Sequence, residues 1–353
     1  MPTAIIGNDM LKVNNFKSLG YTSFFNTESG FAARVSHEGE REPFWSPHGP
    51  ELMDISITNW CDKGCTFCYK SSTTRGHHMS LKNYKRVIDQ AAEMGTFQVA
   101  LGGGNPNQHP DFVEILEYTQ SKGIVPNYTT NGRGLTNEIL DTTKACCGAV
   151  AVSAYPPYDE TKETIQTLTV RGIKTNVHYI LDSDSINQAI EWLSAPPEFL
   201  KNVNALIFLN YKPSGRKVYE EKMLRHSDRL DEFFQLATSP DGNIKVGFDA
   251  CCVSGVFART NANTKLVDAC DAGRFSLYVS EDMQVHPCSF QNGLAKGDLL
   301  DDKTSLQEIW TKSKNMNSFR DYFSSDRCGG CSHKSTCMNG CPLFDDLVVC
   351  GNR

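Results

Sequence analysis

Apolar and polar residues alternate in blocks along the chain, and the blocks have the lengths of strands and helices. Residues 52–58 (LMDISIT) predict a buried strand, and residues 81–93 predict a helix. The unit then repeats, with strands at 97–101, 125–129, 149–154, 174–181 and 205–209 and helices at 111–122, 137–145, 160–171, 185–194 and 219–236. Six such units predict a parallel sheet covered by helices, either doubly wound or barrel-like.

The character of the sequence changes at both ends of this repeat, and the changes predict three regions. Residues 1–49 form an N-terminal segment that is β-like over 21–35, with a turn at Glu28, Ser29 and Gly30. Residues 50–240 carry the strand–helix units. Residues 241–353 contain nine of the fourteen cysteines, short β-like pieces and few long helices.

Composition excludes several classes of function. The net charge of −6 comes with mixed signs and no basic block, which argues against a nucleic-acid or membrane-surface partner. No apolar run is long enough for a membrane helix, and the first residues lack the features of a signal peptide. We therefore expect a cytoplasmic protein, in which clustered cysteines bind metal or perform redox chemistry more often than they form disulfides.

Three cysteines follow the first predicted strand, where a fold of this class binds its ligands. Cys61, Cys65 and Cys68 have the spacing Cys-x3-Cys-x2-Cys. Three thiolates hold three irons of a [4Fe–4S] cluster and leave the fourth iron open for a substrate or cofactor. The alternative is a zinc site with His77 or His78 as the fourth ligand.

The triplet resembles the signature of the radical S-adenosylmethionine (radical SAM) superfamily, including the aromatic residue Phe67 before the last cysteine. The resemblance covers residues 50–240 and implies a partial (β/α)6 barrel. It also implies that the open iron binds the amino and carboxylate groups of SAM. Reductive cleavage of SAM would then release a 5′-deoxyadenosyl radical, which abstracts a hydrogen atom from the substrate.

Residues that follow the next strands match the SAM-contacting positions of the same superfamily. Gly103, Gly104 and Asn105 stand where the superfamily has a Gly-Gly-Glu motif, so the resemblance implies a site for the SAM ammonium group. Asn105 replaces the usual glutamate, and its amide oxygen can accept a hydrogen bond without charge assistance. Asn131 and Ser153 match positions that contact the ribose and carboxylate of SAM, although Ser153 equally fits an ordinary strand-capping hydroxyl.

A second group of cysteines lies in the C-terminal region. Cys328, Cys331, Cys337 and Cys341 have the spacing Cys-x2-Cys-x5-Cys-x3-Cys, Cys350 follows, and Cys270 and Cys288 precede them. Cysteines with such spacing can alternatively bind zinc. The seven resemble the SPASM extension of radical SAM enzymes, which carries two auxiliary [4Fe–4S] clusters. The resemblance assigns Cys328, Cys331, Cys337 and Cys350 to a distal cluster and Cys270, Cys288 and Cys341 to a proximal one.

The proximal cluster lacks a fourth ligand in this assignment, and Cys251 and Cys252 lie upstream where some members supply one. Adjacent side chains in an extended segment point in opposite directions, so we expect only one of the two to reach the cluster. We take Cys252 as the ligand. Either thiol remains a candidate hydrogen-atom donor to a product radical, and the alternative is a cysteine that is simply buried.

The resemblance also predicts the function: a cytoplasmic oxidoreductase that modifies a peptide or protein by a crosslink, a thioether or an epimerisation. It implies three [4Fe–4S] clusters, SAM, an electron donor such as flavodoxin or ferredoxin, and a separate leader-binding protein as a further possible partner. A radical SAM dehydrogenase acting on a small molecule is an alternative. Another is a sulfatase-type formylglycine maturase, but Ser289 stands where that group usually has aspartate. A non-catalytic iron–sulfur protein is the third alternative.

Overall fold

A computed structural model describes residues 10–37, 43–263 and 267–350 and contains two sheets. The first is antiparallel and consists of β1 (Leu11–Phe16), β2 (Tyr21–Asn26) and β3 (Ala32–Ser36). The predicted turn joins β2 to β3, and Asn26 Oδ1 accepts the backbone N–H of Ser29 there at 2.7 Å. The strand β1 was not expected from the sequence.

The second sheet has ten strands and contains all six strands that the sequence predicts. Its members are β4 (Leu52–Thr58), β5 (Gln98–Gly103), β6 (Val125–Thr130), β7 (Val150–Ala154), β8 (Thr175–Leu181), β9 (Ala205–Asn210), β10 (Val246–Phe248), β11 (Ser276–Val279), β12 (Gln284–His286) and β13 (Asp298–Leu299). Their order across the sheet is β10-β9-β8-β7-β6-β5-β4-β11-β12-β13. The strands from β10 to β11 are parallel, and β12 and β13 are antiparallel to their neighbours.

Helices follow most of the parallel strands, as the repeat predicts. They are α1 (Leu81–Glu93), α2 (Phe112–Ser121), α3 (Asn137–Cys146), α4 (Asp159–Val170), α5 (Ile186–Ser194), α6 (Leu230–Ala237), α7 (Val253–Arg259), α8 (Leu306–Lys312), α9 (Lys314–Ser324) and α10 (Lys334–Cys337). Within the three described ranges, no helix is long and apolar enough to cross a membrane.

Side chains along β4 alternate between two faces of the sheet. One face packs in the apolar core against the helices, and we call the other the inner face. Met53, Ile55 and Ile57 are buried in the main apolar core, which they share with residues of α1. Asp54 and Ser56 lie between them in sequence and point to the other face, because successive side chains on a strand alternate. One face of the strand is therefore covered by helices, and the other is available for a polar site.

The predicted helix at 219–236 is wrong over most of its length. The α-helix is confined to α6, and two short 3₁₀ turns, Glu220–Lys222 and Leu224–His226, precede it. The hydroxyl of Ser227 accepts the backbone N–H of Arg229 at 3.1 Å. A serine side chain that bonds a nearby backbone donor in this way competes with the helical hydrogen-bond pattern.

The ten-stranded sheet crosses the domain boundary expected at residue 240. Both β10 and β11 come after that residue, yet β10 pairs with β9 and β11 pairs with β4. In the second pairing, Leu52 lies opposite Ser276 and Ile55 opposite Val279. The three-region division stays a prediction, but the C-terminal region contributes strands to the same sheet as the repeat.

Candidate active site

The cysteine triplet lies on the loop between β4 and α1. The backbone N–H of Cys68 donates to Cys65 O at 3.3 Å, and the side-chain N–H of Asn131 donates to Cys61 Sγ at 3.6 Å. Burial raises the pKa of the Cys65 thiol, and the nearby Cys68 and Cys61 thiols raise it further. The three thiols therefore lie near one another on a single loop, as a cluster with three protein ligands requires.

Two glycines at the end of β5 hold the start of this loop in place. The Gly104 N–H donates to Thr58 O at 2.7 Å. A Cβ atom on Gly104 would lie 2.0 Å from Trp60 O, and one on Gly103 would lie 2.1 Å from Thr58 O. The glycine run therefore permits close backbone packing against the segment that leads into Cys61, whatever contact it also makes with SAM.

Both polar ends of the Asn105 side chain form hydrogen bonds with other residues of the protein, and this changes the role expected for it. It is 1% exposed, and its Nδ2 donates to Arg133 O at 2.9 Å. Its Oδ1 accepts from the Asn131 backbone N–H at 3.1 Å and from the Thr130 hydroxyl at 3.3 Å. Because both ends of the amide are occupied, the geometry favours a role in fixing the loop that carries Asn131 over direct contact with the SAM ammonium.

Ser153 lies close to the cysteine loop. Its hydroxyl interacts with the phenol of Tyr155, and the Tyr155 ring packs against Phe67 with the ring centroids 5.1 Å apart. Phe67 immediately precedes Cys68. The strand end that carries Ser153 is thus in contact with the triplet loop, as the SAM-binding prediction requires.

A second group of sulfurs comes from four distant parts of the sequence. Cys251, Cys270, Cys288 and Cys341 line one cavity, together with apolar residues and Cys337. The thiols of Cys251 and Cys341 lie within hydrogen-bonding reach of each other. Burial raises the pKa of Cys288 to about 12, and the Cys251 thiol contributes to the rise. We call Cys251, Cys270, Cys288 and Cys341 the proximal quartet.

The fourth member of the quartet is therefore Cys251 and not Cys252, the residue expected from the sequence. Cys252 is 0% exposed and belongs to the apolar core. The two residues lie in a 3₁₀ turn, Ala250–Cys252, in which neighbouring side chains diverge. Since Cys251 lies in the quartet and Cys252 is enclosed in the core, neither is placed as an open hydrogen-atom donor.

The remaining four cysteines of the C-terminal region also come together. Burial raises the pKa of Cys337 to about 11, and the thiols of Cys350, Cys328 and Cys331 contribute to the rise. The buried side chain of Asn339 supports this group, because its Oδ1 accepts the Cys328 backbone N–H at 3.2 Å. This grouping matches the distal set that the resemblance implies.

The two histidines that were candidates for the fourth ligand of a zinc site interact with other residues. His77 Nε2 lies 2.8 Å from Asp282 Oδ1, and His78 Nδ1 lies 2.8 Å from the hydroxyl of Thr58. The triplet therefore gains no fourth ligand from either histidine in this arrangement. Three converging thiols with an open position fit an iron–sulfur cluster that binds a further ligand, and two groups of four thiols fit fully ligated clusters.

Polar residues on the inner face of the sheet were not identified from the sequence. Lys70 Nζ donates to the Tyr278 hydroxyl at 2.8 Å and pairs with Glu281 Oε2 at 3.0 Å. The Ser56 hydroxyl donates to the same Glu281 oxygen at 2.6 Å. Beside Tyr278 in the sheet lies Asp54, whose pKa burial raises to about 6. The feature of the sequence that could have predicted this polar face is the polar residue at every second position of β4.

A second buried ion pair lies near the proximal quartet. Lys212 Nζ is 2.5 Å from Asp249 Oδ2, donates to Asn210 O at 2.9 Å and lies 4.8 Å from the centroid of the Phe290 ring. Burial is the largest single influence and lowers the pKa of Lys212, but the Asp249 carboxylate and the Cys251 and Cys252 thiols together outweigh it, and the net shift is upward. Burial lowers the pKa of nearby His178 to about 4, so that imidazole is neutral at pH 7.

Tyr69 connects the triplet with the quartet. Burial raises its pKa well above the ordinary value, and smaller increases come from Tyr278, Asp54, Cys68 and Cys288. Tyr69 directly follows Cys68, and its ring centroid lies 4.6 Å from that of Phe290, two residues after Cys288, so the side chain lies between the two cysteine groups. We call the region around these residues, on the inner face of the sheet, the lumen.

Comparison with known proteins identifies the same two parts of the chain. The family model of the radical SAM superfamily matches residues 55–193, and the model of the SPASM iron–sulfur cluster-binding domain matches residues 270–337. Mycofactocin maturase MftC of Mycobacterium tuberculosis is 23% identical over 311 residues, which cover 83% of this chain and 78% of that protein. The AdoMet-dependent heme synthase of Methanosarcina barkeri is also 23% identical, over 83% of this chain and 91% of that protein.

Among solved structures, Streptococcus suis SuiB bound to precursor peptide SuiA superimposes with a TM-score of 0.72. The sequence identity is 14%, and the superposition covers 95% of this chain and 94% of SuiB. At that identity the likeness establishes the fold, and it extends through both the parallel sheet and the cysteine-rich C-terminal region.

The glycine packing predicts a specific loss of iron. In Gly104→Ala the new methyl group would collide with Trp60 O, so the loop carrying Cys61 must move, and we expect the loss of about four irons per chain. Gly102→Ala is the matched control, because nothing lies within 4 Å of a Cβ atom there. Iron analysis of the anaerobically reconstituted proteins checks this. Full iron in Gly104→Ala would show that the loop tolerates the displacement.

The two adjacent cysteines give a second prediction. Cys251→Ala should change the electron paramagnetic resonance spectrum of the proximal cluster, because it removes one of four ligands. Cys252→Ala should leave iron content and spectra unchanged, at a stability cost of about 1 kcal/mol for the lost core thiol. The reverse result, with the spectrum altered only by Cys252→Ala, would restore Cys252 as the ligand.

Proposed function

Because the chain belongs to the radical SAM superfamily and carries a C-terminal SPASM domain, we propose that it is a peptide maturase. As an enzyme of this superfamily it binds SAM and iron–sulfur clusters. Its substrate would be a peptide or protein from which a hydrogen atom is abstracted before a crosslink, a thioether or an epimerised residue forms.

We further propose three clusters. Cys61, Cys65 and Cys68 would hold the first, the proximal quartet the second, and the distal cysteines the third. Bound together, the first cluster and SAM supply the 5′-deoxyadenosyl radical that abstracts hydrogen. The chain's own part is to hold these groups around one lumen, to keep water out, and to orient the substrate.

The observation that carries the proposal is the position of Tyr69 between the triplet and the quartet. A substrate in the lumen would be close to Cys68 on one side and to Cys288 on the other. The wall between them includes fixed charges, with the Lys70–Glu281 pair among them. A lumen of this kind suits a substrate with hydrogen-bonding groups along its length, as a peptide backbone has.

Two of the named relatives support a peptide substrate. MftC is named a maturase, and SuiB was solved with a precursor peptide. The heme synthase, which this chain covers at 91% of its length, is the specific observation that favours a small-molecule substrate as the second candidate. We also propose a flavodoxin or ferredoxin as electron donor and leave a separate leader-binding protein as a possible partner.

Coexpression tests the proposal. The chain is produced together with short peptides encoded next to its gene, and peptide masses are measured. We expect one peptide to change in mass with the wild-type chain and to stay unchanged with Cys61→Ala/Cys65→Ala/Cys68→Ala. Iron should be about twelve per chain in the wild type and about eight in the variant, because one of three clusters is lost. About four irons with bound zinc in the wild type would contradict the assignment.

A further inference from the structure

The Lys212–Asp249 pair lies where two sides of the lumen meet. Lys212 follows β9 and Asp249 follows β10, whereas Phe290, beneath the lysine ammonium, follows Cys288 on the opposite side. The side chain of Lys212 is 8% exposed, so bulk solvent screens its charge poorly. The ammonium is held in place by the carboxylate, by Asn210 O and by the ring.

Two thiols of the proximal quartet lie within the electrostatic reach of this pair. Asp249 lies two residues before Cys251, and Asn210, whose carbonyl oxygen accepts from Lys212 Nζ, donates through Nδ2 to Cys251 O at 3.3 Å. Phe290, whose ring centroid lies 4.8 Å from Lys212 Nζ, is two residues after Cys288. The quartet is therefore exposed to one fixed positive charge and one fixed negative charge from the same pair.

We propose that the Lys212–Asp249 pair sets the reduction potential of the proximal cluster, with both side chains acting as positioning residues. The inference rests on the proposed function, because it assumes that the quartet holds a cluster. One-electron reduction adds one negative charge to the cluster and its thiolates. Lys212 stabilises that reduced state, Asp249 opposes it, and the balance of the two fixes the potential.

The two charges predict the direction in which the reduction potential of the proximal cluster shifts in each variant, and packing alone does not. Removing the ammonium leaves the Asp249 carboxylate uncompensated and disfavours reduction. Removing the carboxylate leaves the ammonium uncompensated and favours reduction. Removing both charges takes away the two opposed effects together. A pair that merely held β9 against β10 would change stability in all three variants without producing opposite shifts.

The test is a redox titration followed by electron paramagnetic resonance. Full-length Lys212→Gln, Asp249→Asn and the double variant are made in the Cys61→Ala/Cys65→Ala/Cys68→Ala background, so that only the two auxiliary clusters contribute. The proximal signal is the one that Cys251→Ala alters, and the distal signal serves as the internal reference. Lys201→Gln, which removes an exposed lysine paired with Glu198, is the matched control.

The reference is the Cys61→Ala/Cys65→Ala/Cys68→Ala protein without further substitutions. At the solution potential at which half of its proximal cluster is reduced, we expect the reduced fraction to change in opposite directions in the two single variants. The ratio of reduced to oxidised cluster should fall at least about tenfold in Lys212→Gln and rise at least about tenfold in Asp249→Asn. The double variant and Lys201→Gln should stay within about threefold of the reference. The distal signal should not shift.

Shifts of the same sign in both single variants, or no shift in either with full iron content, would overturn the inference and leave the proposed function intact. If Lys212→Gln fails to retain iron, Asp249→Asn decides alone, because only the electrostatic account predicts easier reduction there. Absence of a proximal signal from the reference protein itself would instead contradict the proposed function.

Discussion

The proximal quartet is the constraint on which the rest of the structure depends, because it joins the two ends of the parallel sheet. Cys251 follows β10, the edge strand at one end of the sheet. Cys270 precedes β11 and Cys288 follows β12, at the other end of the parallel run, and Cys341 comes from the C-terminal segment. The four cysteines line one cavity, so a cluster that they held would tie together segments from both ends of the parallel run.

Metal binding would also explain how the cysteine-rich part of the C-terminal region is stable with a small apolar cluster. The region's strands and α8 contribute to the main core, and around the cysteines lies a second, small apolar cluster whose buried members among the described residues are Ala272, Phe319 and Phe323. Metal–thiolate bonds between distant segments would add stability that so small a cluster does not provide, because binding energy is also folding energy when the site does not exist in the unfolded chain. We therefore expect metal loading and the stability of this region to be coupled.

Much of the fold could be predicted from the sequence, because strands and helices follow from local periodicity. The six strands from β4 to β9 lie where the apolar runs place them. The helix expected at 219–236 is confined to α6, and the hydrogen bond of the Ser227 hydroxyl to the Arg229 N–H just before α6 is a local feature that a periodic pattern does not reveal. The cysteine groupings were expected from the resemblance to the SPASM extension, but the choice of Cys251 over Cys252 depends on how a 3₁₀ turn directs adjacent side chains.

The site residues that escaped prediction are those that depend on contacts between distant segments. Lys70 and Glu281 are 211 positions apart, and no local pattern links them. Asn105 was interpreted through the glutamate that it replaces, which left out the property that distinguishes an amide: its N–H group donates to Arg133 O. The site thus combines the cysteines, which the motifs of the sequence and the family resemblance indicate, with residues that only contacts between distant segments bring together.

The central claim is that a radical generated beside the triplet abstracts hydrogen from a peptide held in the lumen. The most direct measurement is deuterium transfer from a uniformly deuterated peptide, encoded beside the gene, to 5′-deoxyadenosine in an anaerobic reaction with SAM and reductant. The account predicts 5′-deoxyadenosine that carries deuterium in the presence of that peptide. Deuterium-free 5′-deoxyadenosine with every such peptide, together with transfer from a deuterated small molecule, would contradict it.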